Sequence, residues 1–217
     1  MAITEFAFVH LCSPLSAESH QALEDAQRIQ DKWAQGQDPD ISLSRLARGT
    51  GMLQRTDDPS AILITARWSS PAAHWGWIGT EENKQAMAKL IPLIVTEGDK
   101  KLILFHVDAV LFPPPEDGVT SALGSPILSV YRYRVKASAR SKFESGLEEV
   151  MARLNTDADA LFRWGWRIEK EDDGIEELLI VRGWESEEQR LDGEHDALDE
   201  LLADAIDVNT SSYKRIV

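Results

Sequence analysis

Cysteine is nearly absent from this chain: Cys12 stands alone among 217 residues. That excludes an internal disulfide and any cluster of thiolate metal ligands. Long apolar runs are missing too. No stretch approaches the roughly 20 consecutive apolar residues that span a bilayer as a helix. The opening MAITEFAFVHLCSPL has neither the basic first segment nor the apolar run of a secretory leader, so a cytoplasmic protein is expected. Basic charge is scarce, with 23 Lys and Arg against 37 Asp and Glu and a formal net charge of −14. Such a surface repels phosphate backbones and anionic bilayers at long range, so neither nucleic acid nor a membrane is expected as a partner. No phosphate-binding loop, G-x-G-x-x-G turn or G-x-S-x-G elbow occurs, which argues against nucleotide, dinucleotide and hydrolase chemistry. The histidines show no H-x-H or H-E-x-x-H spacing, so no metal is expected.

What is present is a repeat. AILITARWSS at 61–70 returns as ELLIVRGWES at 177–186, and Trp68 and Trp184 stand 116 residues apart, about half the chain. With 43% hydrophobic residues and seven tryptophans, each half has enough apolar surface to offset chain entropy.

The periodicity supports the same division. ITEFAFVHL has the composition of a strand, and Ser16 with Ser19 starts a helix that carries Leu23, Ala26, Ile29 and Trp33 at helical spacing. SRLARGTGML is a weaker strand, AILITARW a strong one, TEENKQAMAKLIPLI a helix started by Thr80, and KKLILFHVDAVLF a closing strand. PPPEDGVTSALGSP at 113–126 has no periodicity and reads as a linker. The order then restarts with ILSVYRYRV, a helix over SKFESGLEEVMARLN, LFRWGWRIEK, a DDG turn into ELLIVRGW, a helix over EHDALDELLADAI, and the strand SSYKRIV. Strand, helix, strand, strand, helix, strand, twice over, is the split βαβ ferredoxin-like motif in tandem. The expected class is α+β: repeats at 1–112 and 127–217 pack sheet to sheet as an intramolecular α/β barrel, with a ligand in its interior.

The strand-end Trp68, the following SSPAAHWGWI with His74 six residues on, the apolar helix AMAKLIPLI and FHVDAVLF together resemble the dimeric α/β-barrel superfamily. That superfamily includes antibiotic-biosynthesis monooxygenases, stress-responsive barrel proteins, polyketide cyclases and lyases. The resemblance is to the tandem form, in which one chain supplies both halves of the usual dimer, and it covers nearly the whole sequence. It implies a monomer or loose homodimer. A histidine after the third strand recurs in monooxygenase-like members, and here only the first repeat has it, since Arg190 occupies the position six past Trp184. A haem-binding branch also uses a histidine, but no second haem signal is present, so no cofactor is expected. The superfamily spans many reactions, because fold does not fix function.

Among the five histidines, His20 and His195 lie among acids on solvated helix faces. Strand alternation groups His10 with Phe6 and Phe8, and His106 with Asp108 and Val110. His106 is either a core histidine satisfied by backbone or a general base oriented by Asp108. His74 stands in a run of Trp68, Trp75 and Trp77, which suits either a core or an aromatic-walled pocket for a planar substrate. The second repeat contributes strand arginines: Arg132 and Arg134, Arg163 and Arg167, and Arg182, read as recurring at the place of Arg67. Helix-covered faces must be apolar, so the tyrosines and tryptophans of these strands are expected to meet the helices and the arginines the open side. There they pair with carboxylates such as Glu5, Asp108, Glu169 and Glu176, or bind an acidic ligand.

The catalytic candidates are therefore His74, His106 and Asp108, and the substrate-binding candidates are Trp68, Trp75, Trp77, Arg67, Arg132, Arg182 and His10. The expected ligand is a small hydrophobic or aromatic molecule. Three activities fit: a cofactor-independent cyclase, dehydratase or isomerase acting on a polyketide-like or terpenoid substrate; a cofactor-free monooxygenase; or a non-catalytic ligand-binding or stress-responsive barrel.

Overall fold

The computed structural model describes residues 1–115, 121–154, 162–193 and 205–217. The first repeat runs β1 (Ile3–His10), α1 (Ala17–Gln37), β2 (Gly51–Arg55), β3 (Ala61–Trp68), α2 (Pro71–Ile78), α3 (Glu81–Leu90) and β4 (Ile103–Val107). The second runs β5 (Ile127–Lys136), α4 (Arg140–Leu154), β6 (Phe162–Trp166), β7 (Ile175–Trp184), α5 (Glu187–Gly193) and β8 (Asp207–Arg215). Residues 194–204 of the helix expected over EHDALDELLADAI, His195 among them, and the linker's residues 116–120 lie outside the described residues.

The helix starts are where capping chemistry puts them. The Ser16 hydroxyl accepts from Ser19 N and the Ser19 hydroxyl accepts from Ser16 N, and Thr80 caps α3 through Asn83 N. α2 is a short extra helix between the strand AILITARW and the helix started by Thr80. Ser70 caps it at Ala73 N and Pro71 opens it, the position where a missing N–H costs nothing.

All eight strands form one sheet in the order β4-β1-β3-β2-β8-β5-β7-β6, so each repeat has the ferredoxin-like order and the two join edge to edge through β2 and β8. The outer edges also meet. Val107 bridges Arg167, Asp108 N donates to the Trp166 carbonyl at 2.9 Å, and Ile168 N donates to the His106 carbonyl at 2.8 Å. This seam brings the backbones close. A Cβ at Gly165 would lie 2.6 Å from Val107 Cγ1, which is why a glycine stands there.

The barrel interior is a packed core rather than the expected ligand chamber. Phe6, Leu53, Leu63, Phe105, Val107, Leu128, Val130, Leu179 and Val181 form one buried cluster. Among these side chains lie the guanidiniums of Arg132 and Arg167, on the face the alternation predicts. Arg132 sits 4.9 Å from the Phe8 ring centroid and Arg167 4.2 Å from that of Phe105. Both bind Glu177, Arg132 through Nε at 2.6 Å and Arg167 through Nη1 at 2.8 Å. Their charge is thus paired internally, through Glu177 rather than the carboxylates expected from the sequence, although the buried Nε of Arg167 has no partner. Tyr131, Tyr133, Phe162 and Trp166 cover the opposite face with α4 residues Phe143, Leu147 and Val150.

Arg182 corrects the expectation that it recurs at the place of Arg67. Aligned on Trp68 and Trp184, it falls opposite Ala66. One residue of offset reverses the face of a strand. Arg182 therefore lies on the helix side, 3.8 Å from the Trp184 ring centroid.

Candidate functional site

The titratable groups of interest gather on the helix-covered face of the first repeat. In β1, Phe6 and Phe8 point into the barrel core while Glu5, Ala7 and Val9 point to the helices. In β4, Phe105 and Val107 point in, which turns His106 outward beside Glu5, its register partner. α2 then lays His74 over both. His74 Nδ1 lies 2.7 Å from His106 Nε2, and His74 Nε2 lies 3.4 Å from Glu5 Oε2. The seam supplies the fourth member. His106 Nδ1 hydrogen-bonds Glu169 Oε1, and His106 N donates to Glu169 Oε2 at 2.7 Å. Glu5, His74, His106 and Glu169 thus form one line of contacts that begins in the first repeat and ends in the second.

Aromatic rings enclose this line. The His74 imidazole is stacked between Trp68, at 4.6 Å and 15°, and Trp75, at 5.7 Å and 9°. Trp75 also meets His106 edge-on at 5.6 Å. The Trp68 indole N–H donates to Glu5 Oε2 at 2.7 Å.

The electrostatics follow from burial. Burial pushes the Glu5 carboxyl up to about 7, against the lowering effect of the Trp68 hydrogen bond. Burial also pushes the His74 imidazole down to about 3, and the adjacent His106 adds to the effect. The contact between Glu5 and His74 is therefore not an ion pair near neutrality, because the imidazole there is uncharged. Burial works to raise Glu169 as well, but its hydrogen bonds from His106 outweigh that and hold it below the usual carboxylate range. An ionised Glu169 accepts from His106 Nδ1–H. His106 Nε2 and His74 Nδ1 share the next hydrogen bond, and Nε2 of His74 faces Glu5.

Glu5 and His74 open onto a cavity of about 220 Å³, otherwise lined mainly by apolar groups such as Leu23, Met52, Ile64, Met87 and Leu104. It lies between the sheet and helices α1 to α3, outside the barrel. An acid, an imidazole and an apolar chamber form a setting for proton transfer to or from a bound organic molecule.

The other expected site residues divide. Trp77 lines the cavity, and Trp68, Trp77 and Arg67 line a larger neighbouring cleft. Asp108 does not orient His106. β4 ends at Val107, and the Asp108 carboxylate instead accepts from Trp166 N at 2.7 Å and faces Arg140. Arg132 is held in the barrel core and Arg182 against Trp184, both away from the cavity lining. His10 lies five residues along β1 from Glu5, about 17 Å at the usual strand rise. Its pKa is lowered by burial and by Lys100. Glu5 and Glu169, which sequence reasoning offered only as partners for arginines, are in the line instead.

No protein-family model matches the sequence, and no curated protein matches it by sequence. Solved structures do match in fold. A Lactobacillus acidophilus protein provisionally named a monooxygenase superposes with a TM-score of 0.60 at 10% identity, over 100% of this chain and 94% of its own. An anthrone oxidase-like protein gives 0.62 at 13% identity, over 99% and 91%. A heme-binding protein from Thermus thermophilus gives 0.55 at 11%, over 99% and 92%. The chain therefore has the dimeric α/β-barrel fold in its tandem form, with both halves supplied by one polypeptide.

The haem-binding neighbour raises the question of whether this site suits a haem. It does not. Both nitrogens of His106 are engaged and those of His74 face His106 and Glu5, which leaves neither imidazole a nitrogen aimed at an open slot. Among the described residues no group of three or more His, Cys, Asp or Glu is arranged to hold a metal ion. No described helix is long and apolar enough to cross a membrane.

Proposed function

We propose that this protein is an enzyme that removes a proton from a small hydrophobic substrate in the first-repeat cavity, and that the resulting carbanion reacts with dioxygen without an organic cofactor. The observation that carries the reading is the Glu5, His74, His106, Glu169 line ending in the cavity. A carboxyl group raised to about 7 is matched to general-base work near neutrality, whereas an imidazole lowered to about 3 is too weak a base for that role. Glu5 is therefore assigned as the base, with His74 and His106 as the relay. Trp68, Trp75 and Trp77 are assigned to the aromatic surround.

In this scheme the Glu5 carboxylate takes a proton from an acidic C–H. The proton moves to His74 Nε2, the Nδ1 proton of His74 moves to His106 Nε2, and that of His106 moves to Glu169. The Glu169 side chain is 34% exposed and can release the proton to water. For a ketone with a doubly benzylic CH2, the carbanion adds dioxygen, takes a proton to become a hydroperoxide and eliminates water. The balance is one CH2 and one O2 converted to one C=O and one H2O.

Anthrone is the chosen probe, because its CH2 has this acidity and because one fold neighbour is anthrone oxidase-like. Oxygen-electrode assays are expected to record one O2 consumed per quinone formed, with the rate lost in His74→Ala. The same relay would serve cyclisation, dehydration or isomerisation. Conversion of substrate without oxygen uptake would move the assignment there, and binding without any conversion would make the protein a ligand carrier.

A further inference from the structure

Beside the cavity lies an open cleft of about 840 Å³, which shares Gln30 and Trp77 with it. Three indoles form its apolar part: Trp33 packs against Trp77 at 4.8 Å and against Trp68 at 6.2 Å. Two guanidiniums, Arg48 and Arg67, form its polar part, and the exposed Asp38 is the one acid lining it.

Arg67 differs from the barrel-core arginines Arg132 and Arg167, which bind Glu177. Arg67 is half-buried, and its one hydrogen bond is a long contact of Nη2 to the Ala47 carbonyl at 3.4 Å, with no carboxylate partner among the described residues. Arg48 is only 6% exposed. Its Nη2 binds Asp31, but its buried Nε has no partner. A buried N–H of a cation left unpaired is costly, and so is a half-buried guanidinium without an anion. The backbone holds the two residues together. Gly49 has φ 65°, a conformation that favours glycine, and a Cβ there would lie 2.6 Å from the Phe112 carbonyl and 3.3 Å from Arg67 Cβ.

We propose that this cleft binds a planar aromatic monocarboxylate. Its ring would lie on the tryptophans, and its carboxylate would accept from Arg67, with the Arg48 guanidinium adding positive charge at the cleft wall. A single charge fits better than a polyanion, because the chain carries −14 overall and Asp38 stands at the cleft. The proposal rests on the proposed function only in making this ligand class the substrate, with its reactive carbon directed past Trp77 into the cavity. Binding itself is read without turnover.

The test uses 2-naphthoate, followed by tryptophan fluorescence and isothermal titration. Saturable binding is expected, with affinity at least about tenfold weaker in Arg67→Gln, as loss of a charged hydrogen-bond partner implies. The uncharged analogue 2-naphthalenemethanol should bind more weakly and equally to both proteins. Glu5→Gln should bind 2-naphthoate within about twofold of wild type, since that residue does not line the cleft. This separates failure of the cleft from failure of the catalytic reading. Circular dichroism of Arg67→Gln, expected to match that of wild type, checks that the variant is folded. The proposal is overturned if 2-naphthoate does not bind, or if Arg67→Gln binds it as tightly as wild type.

Discussion

Glu5→Gln is expected to lower kcat for anthrone oxidation by about 10²- to 10⁴-fold, the usual loss when a positioned general base is removed. The substitution isolates the chemistry because it preserves the shape. A glutamine at this position still offers an oxygen to the Trp68 N–H, and that same atom faces His74 Nε2 without supplying it a proton. What it cannot do is accept a proton from the substrate. KM should therefore change little while kcat collapses. A Glu5→Gln enzyme within about threefold of wild type would remove Glu5 from the mechanism.

The same residue is expected to set how stability varies with pH. Its folded value of about 7 lies above its ordinary 4.5, so from pH 4.5 to 7 the unfolded chain gives up a proton that the folded protein keeps. Stability from this group is complete below pH 4.5 and falls as pH rises through 7, by about 3 kcal/mol in total. His74 acts in the opposite direction. Lowered from 6.5 to about 3, it makes the folded state lose stability as pH falls through that range. Between about pH 4.5 and 6.5 the two slopes cancel, so the Glu5 loss should emerge in wild type only above 6.5. Urea unfolding of wild type and Glu5→Gln at a series of pH values separates them. The stability difference between the two proteins should change by about 3 kcal/mol between roughly pH 4 and 8, with wild type losing ground at the higher pH. A difference that stays flat over this range would contradict the assigned burial penalty.

Much of the fold is legible in the sequence because it rests on local signals. The Ser16 and Thr80 caps, the alternation of YRYRV and FRWGWRI, and the repeat of a strand ending in tryptophan all act within a few residues. His74 and His106 are legible as chemistry-bearing residues, and the structure brings them together at 2.7 Å. Their partners are not legible. Glu169 reaches His106 only because β4 and β6 close the sheet, a contact 63 residues apart in sequence that no local pattern encodes. Asp108 sits two residues from His106 and is the obvious partner, but β4 ends between them and the carboxylate turns to the Trp166 backbone. Glu5 does carry a signal. It is an acid on the face of β1 that otherwise bears Ala7 and Val9, and a carboxylate on a helix-covered face needs a reason to be there. The barrel interior reads wrongly as a chamber because alternation gives the face of a side chain but not whether the space it enters is filled.

In the proposed mechanism a carboxyl group held near neutrality feeds a relay crossing from one repeat to the other. Its most direct test is the pH dependence of kcat/KM for anthrone oxidation in wild type and Glu169→Gln. A rising limb at about 7 is expected in both proteins, with kcat of the variant reduced at every pH because the proton outlet is blocked while Glu5 is untouched. A wild-type profile that is flat from about pH 5 to 9, or a Glu169→Gln variant with full kcat, would contradict it.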